Sequence, residues 1–99
     1  MVLFKDTKLK IDYIRNHYGN DTEKEKALEE LEELKVEICN DIYQTEGQTF
    51  DRENFIGELA DVIVVLEHLK GCYEVSDERL QEEIEFKVNR QLKRIAEEK

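Results

Sequence analysis

Hydrophobic residues recur every three or four positions along most of the chain, which is the spacing of amphipathic helices. The chain contains no proline, the residue that breaks helices most strongly. The pattern predicts four helices, over residues 3–18, 22–44 and 50–70 and from Ser76 through Ile95. Short connections between them place consecutive helices antiparallel. We therefore expect an all-α fold, with an antiparallel four-helix bundle-like subunit.

Local signals mark the ends of the predicted helices. Gly19 and Gly71 are of the type that often follows the last helical residue. Thr22 begins a capping-box pattern and is the expected N-cap of the second helix. Ser76 is the expected N-cap of the fourth helix. The glycine-containing segment over residues 44–49 separates the second helix from the third.

The third helix is apolar around most of its circumference between residues 55 and 66. A helix of this kind is buried on several sides, either in a bundle core or at a subunit interface. Glu58 and Asp61 nevertheless share one face of it, with Val65 between them. Two carboxylates in such surroundings need compensation from a cation, a basic side chain or water at the rim.

The second helix supplies a matching pair of acids. An apolar stripe at helical spacing runs through Leu28, Leu31, Leu34, Lys35, Ile38 and Ile42. Glu30 and Glu33 lie beside this stripe. If the chain folds back near residue 46, the pair reaches within about 3 Å of the level of Glu58 and Asp61, at a helical rise of ~1.5 Å per residue.

Four carboxylates at one level of a bundle predict a site for a hard cation. The predicted metal ligands are Glu30, Glu33, Glu58 and Asp61. Oxygen ligands suit Mg²⁺ or Mn²⁺, whereas zinc prefers nitrogen and sulfur. A di-iron site would need Glu-x-x-His motifs, and neither His17 nor His68 has an acid three residues before it. We expect the four ligands to be among the least exposed acids, and both histidines to lie at the surface or an edge.

The fourth helix carries a basic stripe, formed by Lys87, Arg90 and Arg94 on one face. Three cations on one face can neutralise a polyphosphate that a metal also holds. Ordinary salt bridges on a solvated helix explain the same residues equally well. Both interpretations stay open at this point.

Length, charge and cysteine content exclude several classes of protein. With 99 residues the chain is expected to form one domain, over residues 1–99. A formal net charge of −10 argues against a general nucleic-acid binder. No apolar run is long enough to span a bilayer, and the N-terminal stretch is too short and too charged for a signal peptide. Cys39 and Cys72 have no metal or redox spacing, so we expect ordinary thiols and a cytoplasmic protein without a membrane partner.

These motifs together resemble the MazG-like, all-α nucleoside triphosphate pyrophosphohydrolases, in particular their short, phage-like members. The family pattern is Glu-Glu-x-x-Glu on one helix, Glu-x-x-Asp on the next, and then a helix with Lys-x-x-Arg. The three elements here read Glu29-Glu30-Leu31-Glu32-Glu33, Glu58-Leu59-Ala60-Asp61 and Lys87-Val88-Asn89-Arg90. The similarity covers about residues 13 to 96.

The resemblance implies a magnesium-dependent hydrolase that cleaves an NTP or dNTP between its α- and β-phosphates, giving the monophosphate and pyrophosphate. Glu30, Glu33, Glu58 and Asp61 would hold Mg²⁺, with Mn²⁺ as a substitute. Lys87, Arg90 and Arg94 would face the phosphates of the nucleoside triphosphate. Which glutamate activates water stays open, and Glu29 is one candidate.

The resemblance also implies an oligomeric MazG-like architecture, a homodimer or homotetramer. The third helix is apolar on more sides than a small subunit can easily bury, which favours assembly independently of the resemblance. The alternative function is a catalytically silent helical interaction module, or an antitoxin-like protein on the same scaffold. The presence of all four carboxylates together with the basic stripe favours the enzyme.

Overall fold

The computed structural model describes residues 3–44, 47 and 49–98. It has four α-helices, α1 (Lys5–Tyr18), α2 (Asn20–Tyr43), α3 (Arg52–Cys72) and α4 (Asp77–Glu97). These described residues contain no strand, which confirms the all-α prediction. None of the four helices is long and apolar enough to cross a membrane.

Side-chain caps begin the last two helices. Asp51 caps α3, because its carboxylate accepts hydrogen bonds from the backbone N–H groups of Glu53 and Asn54, at 3.0 and 3.3 Å. Ser76 caps α4 as predicted, and its hydroxyl accepts the N–H of Arg79 at 3.1 Å. Both helices therefore start where the sequence offers an oxygen to an unpaired backbone donor.

Two of the predicted helix ends were wrong. Thr22 is the third residue of α2 rather than its cap, since α2 begins at Asn20 directly after a sharp turn at Gly19. Gly71 lies inside α3, which continues to Cys72. The predicted separator between α2 and α3 includes residues 45, 46 and 48, which lie outside the described residues.

Gly19→Ala should destabilise the chain. Gly19 has a φ of +94°, a conformation that a residue with a Cβ adopts only at a cost, so we expect a loss of about 1 kcal/mol in the free energy of unfolding. Gly57→Ala is the matched control, because Gly57 lies within α3 with open space where a Cβ would be. Alanine there should stabilise the helix by up to about 1 kcal/mol. Urea denaturation measures both, and effects of the same sign would contradict the argument.

Three helices pack together, with α2 and α3 as the principal pair and α1 against both. The fully buried apolar residues of this unit are Ile11, Ala27, Val62 and Val65. This core is small for a chain of 99 residues. The apolar stripe of α2 contributes little to it, because Leu28 and Ile42 are 71% and 62% exposed. The single chain therefore leaves much of its apolar surface in water.

Ion pairs attach the fourth helix at its first turn. Asp77 forms ion pairs with Lys8 of α1, at 2.6 Å, and with Lys70 of α3. Hydrogen bonds from Lys70 and Lys8 lower the pKa of Asp77 to about 2. Among the described residues, no Cα atom of α4 lies within 8 Å of one in another helix. The Cα radius of gyration is accordingly 16.7 Å, against about 13 Å for a compact domain of this length.

Candidate functional site

Two polar contacts define the register of α2 against α3. Asn54 donates a hydrogen bond from Nδ2 to Oε1 of Glu37 at 2.7 Å. Further along the pair, Nε2 of His68 lies 3.4 Å from Oε2 of Glu23. Fourteen residues separate the two contacts on each helix, which is the relation that two antiparallel helices require.

The predicted acids meet midway between these two contacts. Carboxylate oxygens of Glu30, Glu33 and Glu58 all lie within 4.8 Å of one another. Asp61 lines the same cleft as Glu30, and its negative charge acts on both Glu30 and Glu58. The antiparallel register thus brings three of the four acids into one cluster and the fourth beside it. We call these four residues the acidic cluster.

The members of the acidic cluster differ in exposure. Glu30 and Glu58 are half-buried, and each has an Oε2 atom that water does not reach and that has no hydrogen-bond partner among the described residues. Glu33 and Asp61 are exposed. The expectation that all four would be among the least exposed acids was therefore wrong for these two. The physical reason is that α2 and α3 pack only against each other and α1, which leaves one side of the cluster in water.

Burial and mutual repulsion raise the pKa values of Glu30 and Glu58 in the acidic cluster. Partial burial raises the pKa of Glu30, and the charges of Asp61 and Glu33 raise it further. Burial also raises the pKa of Glu58, together with its closeness to Glu33 and the charge of Asp61. A carboxyl with a raised pKa is one that its surroundings prefer neutralised. The cluster consequently favours a proton or a cation.

Without a divalent cation, low pH should stabilise the acidic cluster. Folding raises the pKa values of Glu30 and Glu58 above their ordinary value of 4.5. The stability that the two protonated carboxyl groups contribute is therefore fully present below pH 4.5, and it is lost as the pH rises through their pKa values in the folded chain. The Glu30→Gln/Glu58→Gln double variant should lack this loss. Its advantage in free energy of unfolding over the parent should grow between about pH 4 and pH 7.

Urea denaturation in EDTA measures that difference. His68, whose pKa is lowered by burial, is present in both chains, so its own titration cancels in the comparison. A difference that stays constant with pH would contradict the repulsion between the carboxylates.

The basic stripe lies apart from the acidic cluster in this single chain. Lys87, Arg90 and Arg94 are exposed on α4, and none pairs with the cluster among the described residues. The Nζ atom of Lys87 lies 3.9 Å from Glu83, and the guanidinium of Arg90 lies 5.8 Å from the ring centroid of Phe86. Within one subunit, therefore, the two predicted halves of the site do not meet.

A cleft of about 460 Å³ extends from the acidic cluster between α1, α2 and α3. Glu30 and Asp61 line one end of it, and Glu23 and His68 line the other. Glu23 lies seven residues before Glu30 on α2, and His68 lies seven residues after Asp61 on α3. Two helical turns therefore separate the two ends of the cleft. The remaining lining residues are Ile14, Tyr18, Thr22, Lys26, Val64 and Val65.

The Glu23–His68 pair was not anticipated from the sequence. Both residues are almost fully buried, with 3% and 2% of their surface exposed, so the expectation that His68 is a surface or edge residue was wrong. The signal that could have found them is their spacing. Glu23 precedes Glu30 by seven residues and His68 follows Asp61 by seven, which puts each on the helix face of the cluster.

Helix α1 brings a positive charge close behind this pair. Arg15 pairs with Asp12 at 2.7 Å, and its charge contributes to the lowered pKa of His68, after burial and against the charge of Glu23. The guanidinium packs on the backbone of Gly71, where it occupies the space that a Cβ atom would take. Gly71 therefore serves close approach of α1 to α3 rather than helix termination.

The chain matches no family model, no characterised protein and no solved structure among those with which we compared it. The geometry of the acidic cluster and the cleft, together with the sequence motifs, is therefore what indicates a function.

Proposed function

We propose that this chain is a magnesium-dependent nucleoside triphosphate pyrophosphohydrolase of the MazG-like type. The proposed reaction is cleavage of an NTP or dNTP between the α- and β-phosphates, which yields the monophosphate and pyrophosphate. One observation carries the proposal. Carboxylate oxygens of Glu30, Glu33 and Glu58, contributed by two antiparallel helices, lie within 4.8 Å of one another.

The donor set of the acidic cluster fits Mg²⁺. The Oε2 atoms of Glu30 and Glu58 are shielded from water and lack hydrogen-bond partners among the described residues, and carboxylate oxygens are the ligands that this ion prefers. Glu33 and Asp61 complete the proposed ligand set from the exposed side. When bound, Mg²⁺ or Mn²⁺ offsets the charge of a polyphosphate and lowers the pKa of a coordinated water.

The proposed role of the basic stripe is to bind the phosphates from a second subunit. Among the described residues, no Cα atom of α4 lies within 8 Å of one in α1–α3, and Arg90 and Arg94 form no ion pair. A helix that leaves its own subunit can carry Lys87 and these arginines to the acidic cluster of another. Positioned cations of this kind stabilise the charge that develops on a pyrophosphate leaving group.

The same surfaces support assembly as a homodimer or homotetramer. The apolar stripe of α2 is exposed, and so are apolar residues along one side of α4, where Val88, Leu92 and Ile95 are 50%, 58% and 62% exposed. A chain with so small a core gains stability by burying such surfaces against copies of itself. Light scattering should return a multiple of the 11.8 kDa chain mass, and a stable monomer at micromolar concentration would contradict the assembly.

A panel of NTPs and dNTPs tests the proposed reaction. With Mg²⁺ present, ³¹P spectra should show a monophosphate and pyrophosphate as the products, which distinguishes cleavage at the α–β bond from loss of the terminal phosphate. EDTA should stop the reaction and Mn²⁺ should restore it. If no triphosphate is hydrolysed and added Mg²⁺ does not raise the melting temperature, the silent interaction module is the better description.

A further inference from the structure

The far end of the cleft has an unusual polar wall. Glu23 and His68 are 97% or more buried there, although both carry groups that ordinarily stay in water. The Nε2 atom of His68 lies 3.4 Å from Oε2 of Glu23. The other ring nitrogen of His68, Nδ1, is shielded from water and has no hydrogen-bond partner among the described residues. An unpartnered polar atom in such a place is costly unless something else binds it.

The hydrogen-bonding character of this wall follows from the contact. Nε2 faces a carboxylate, so the proton of a neutral imidazole resides on Nε2 and Nδ1 is an acceptor. Burial lowers the pKa of His68 and so favours that neutral form. An ionised Glu23 carboxylate is also an acceptor only. The buried pair can therefore accept hydrogen bonds from a ligand but has no free donor for one.

The other polar residues of the cleft do not supply a fixed donor at this end. Tyr18, Thr22 and Lys26 line the cleft but are exposed to water. Arg15 is not among the residues that line the cleft. The side walls are apolar, from Ile14, Val64 and Val65. A volume of about 460 Å³ with apolar walls and a few buried polar atoms falls in the usual range for small-molecule sites, roughly 300–1,000 Å³.

We infer that this cleft holds the nucleobase of the substrate, and that Glu23 and His68 select cytosine and adenine over uracil and thymine. Two helical turns, or about 10 Å, separate the pair from the acidic cluster, a span that a nucleotide can bridge between its phosphates and the far edge of its base. Cytosine and adenine present an amino donor on that edge, whereas uracil and thymine present a carbonyl acceptor at the same position, beside their N3–H donor. That carbonyl would face the acceptor atoms of the buried pair. This inference rests on the proposed function for the position of the phosphates.

Nucleosides without phosphate test the base site separately from hydrolysis. We expect 2′-deoxycytidine to bind in EDTA at least ~10-fold more tightly than 2′-deoxyuridine, which differs from it only in the amino-bearing edge. Titration followed by ¹H–¹⁵N spectra measures both dissociation constants. Shifted amide signals should include those of Val64 and His68.

The variant Glu23→Gln should remove or reverse this preference. The amide keeps an oxygen for His68 Nε2 and turns an N–H donor towards the ligand, which suits the carbonyl of uracil. Glu25→Gln is the matched control, because Glu25 is exposed on the same helix and outside the cleft. It should behave as the parent.

Equal binding of the two nucleosides by the parent, or an unchanged preference in Glu23→Gln, would overturn the inference. If that variant does not fold, Val64→Phe provides the second test, since a larger side chain at this cleft-lining position should abolish binding of both nucleosides. Normal binding by Val64→Phe would also overturn it. Selective nucleoside binding without hydrolysis of any triphosphate would support the base site and reject the proposed enzyme. Hydrolysis of every triphosphate at one rate would support the proposed enzyme and reject the base site.

Discussion

Asp61→Asn should reduce magnesium-dependent pyrophosphate release by about 10³-fold, because it removes one charged ligand from the site where transition-state charge is stabilised. Helical content should not change, since the substitution alters only the side chain of an exposed residue. In EDTA the variant should melt at a higher temperature than the parent, because the charge of Asp61 raises the pKa of Glu30 and Glu58 through repulsion.

The control for this variant is Asp41→Asn, an exposed acid near the end of α2. It removes the same charge at a position away from the acidic cluster, so turnover and metal affinity should remain those of the parent. Parent-like turnover in Asp61→Asn, or an equal loss in both variants, would remove Asp61 from the proposed ligand set.

Arg90→Ala should lower kcat/KM by about 10²-fold, the scale of losing one positioned group that stabilises charge in the transition state. Its affinity for Mg²⁺ without nucleotide, measured by calorimetry, should be unchanged because Arg90 is not near the acidic cluster of its own chain. Arg79→Ala is the matched control, because Arg79 is an exposed arginine of the same helix that lies eleven residues before Arg90. If the basic stripe is simply a solvated face, Arg90→Ala should alter stability by less than ~1 kcal/mol and leave turnover alone.

A mixture of the two inactive variants would show which subunit supplies the arginine. In a hybrid of Asp61→Asn and Arg90→Ala subunits, one of the two sites combines intact acids with an intact Arg90 if the basic stripe acts across the interface. Random reassociation of a homodimer should then restore about a quarter of the parent activity. No recovery would place the acids and the arginine of each site in the same subunit.

The sequence by itself determined the four helices and the acids that meet between two of them. Helical periodicity without proline is a local property, and Asp51 and Ser76 each start a helix by accepting hydrogen bonds from neighbouring backbone N–H groups. The common level of Glu30 and Glu58 followed from helical rise and a short connection, both of which depend on the order of residues alone.

Only the tertiary structure decided how deeply each face is buried. The leucine stripe of α2 predicts an apolar face, yet Leu28 is 71% exposed, whereas Glu23 and His68 are almost completely enclosed. Periodicity assigns residues to a face, but burial depends on the rotation of α2 and α3 about their axes and on what α1 covers. The separation of α4 from the packed helices is equally invisible to local signals, because it depends on which surfaces the chain as a whole can bury.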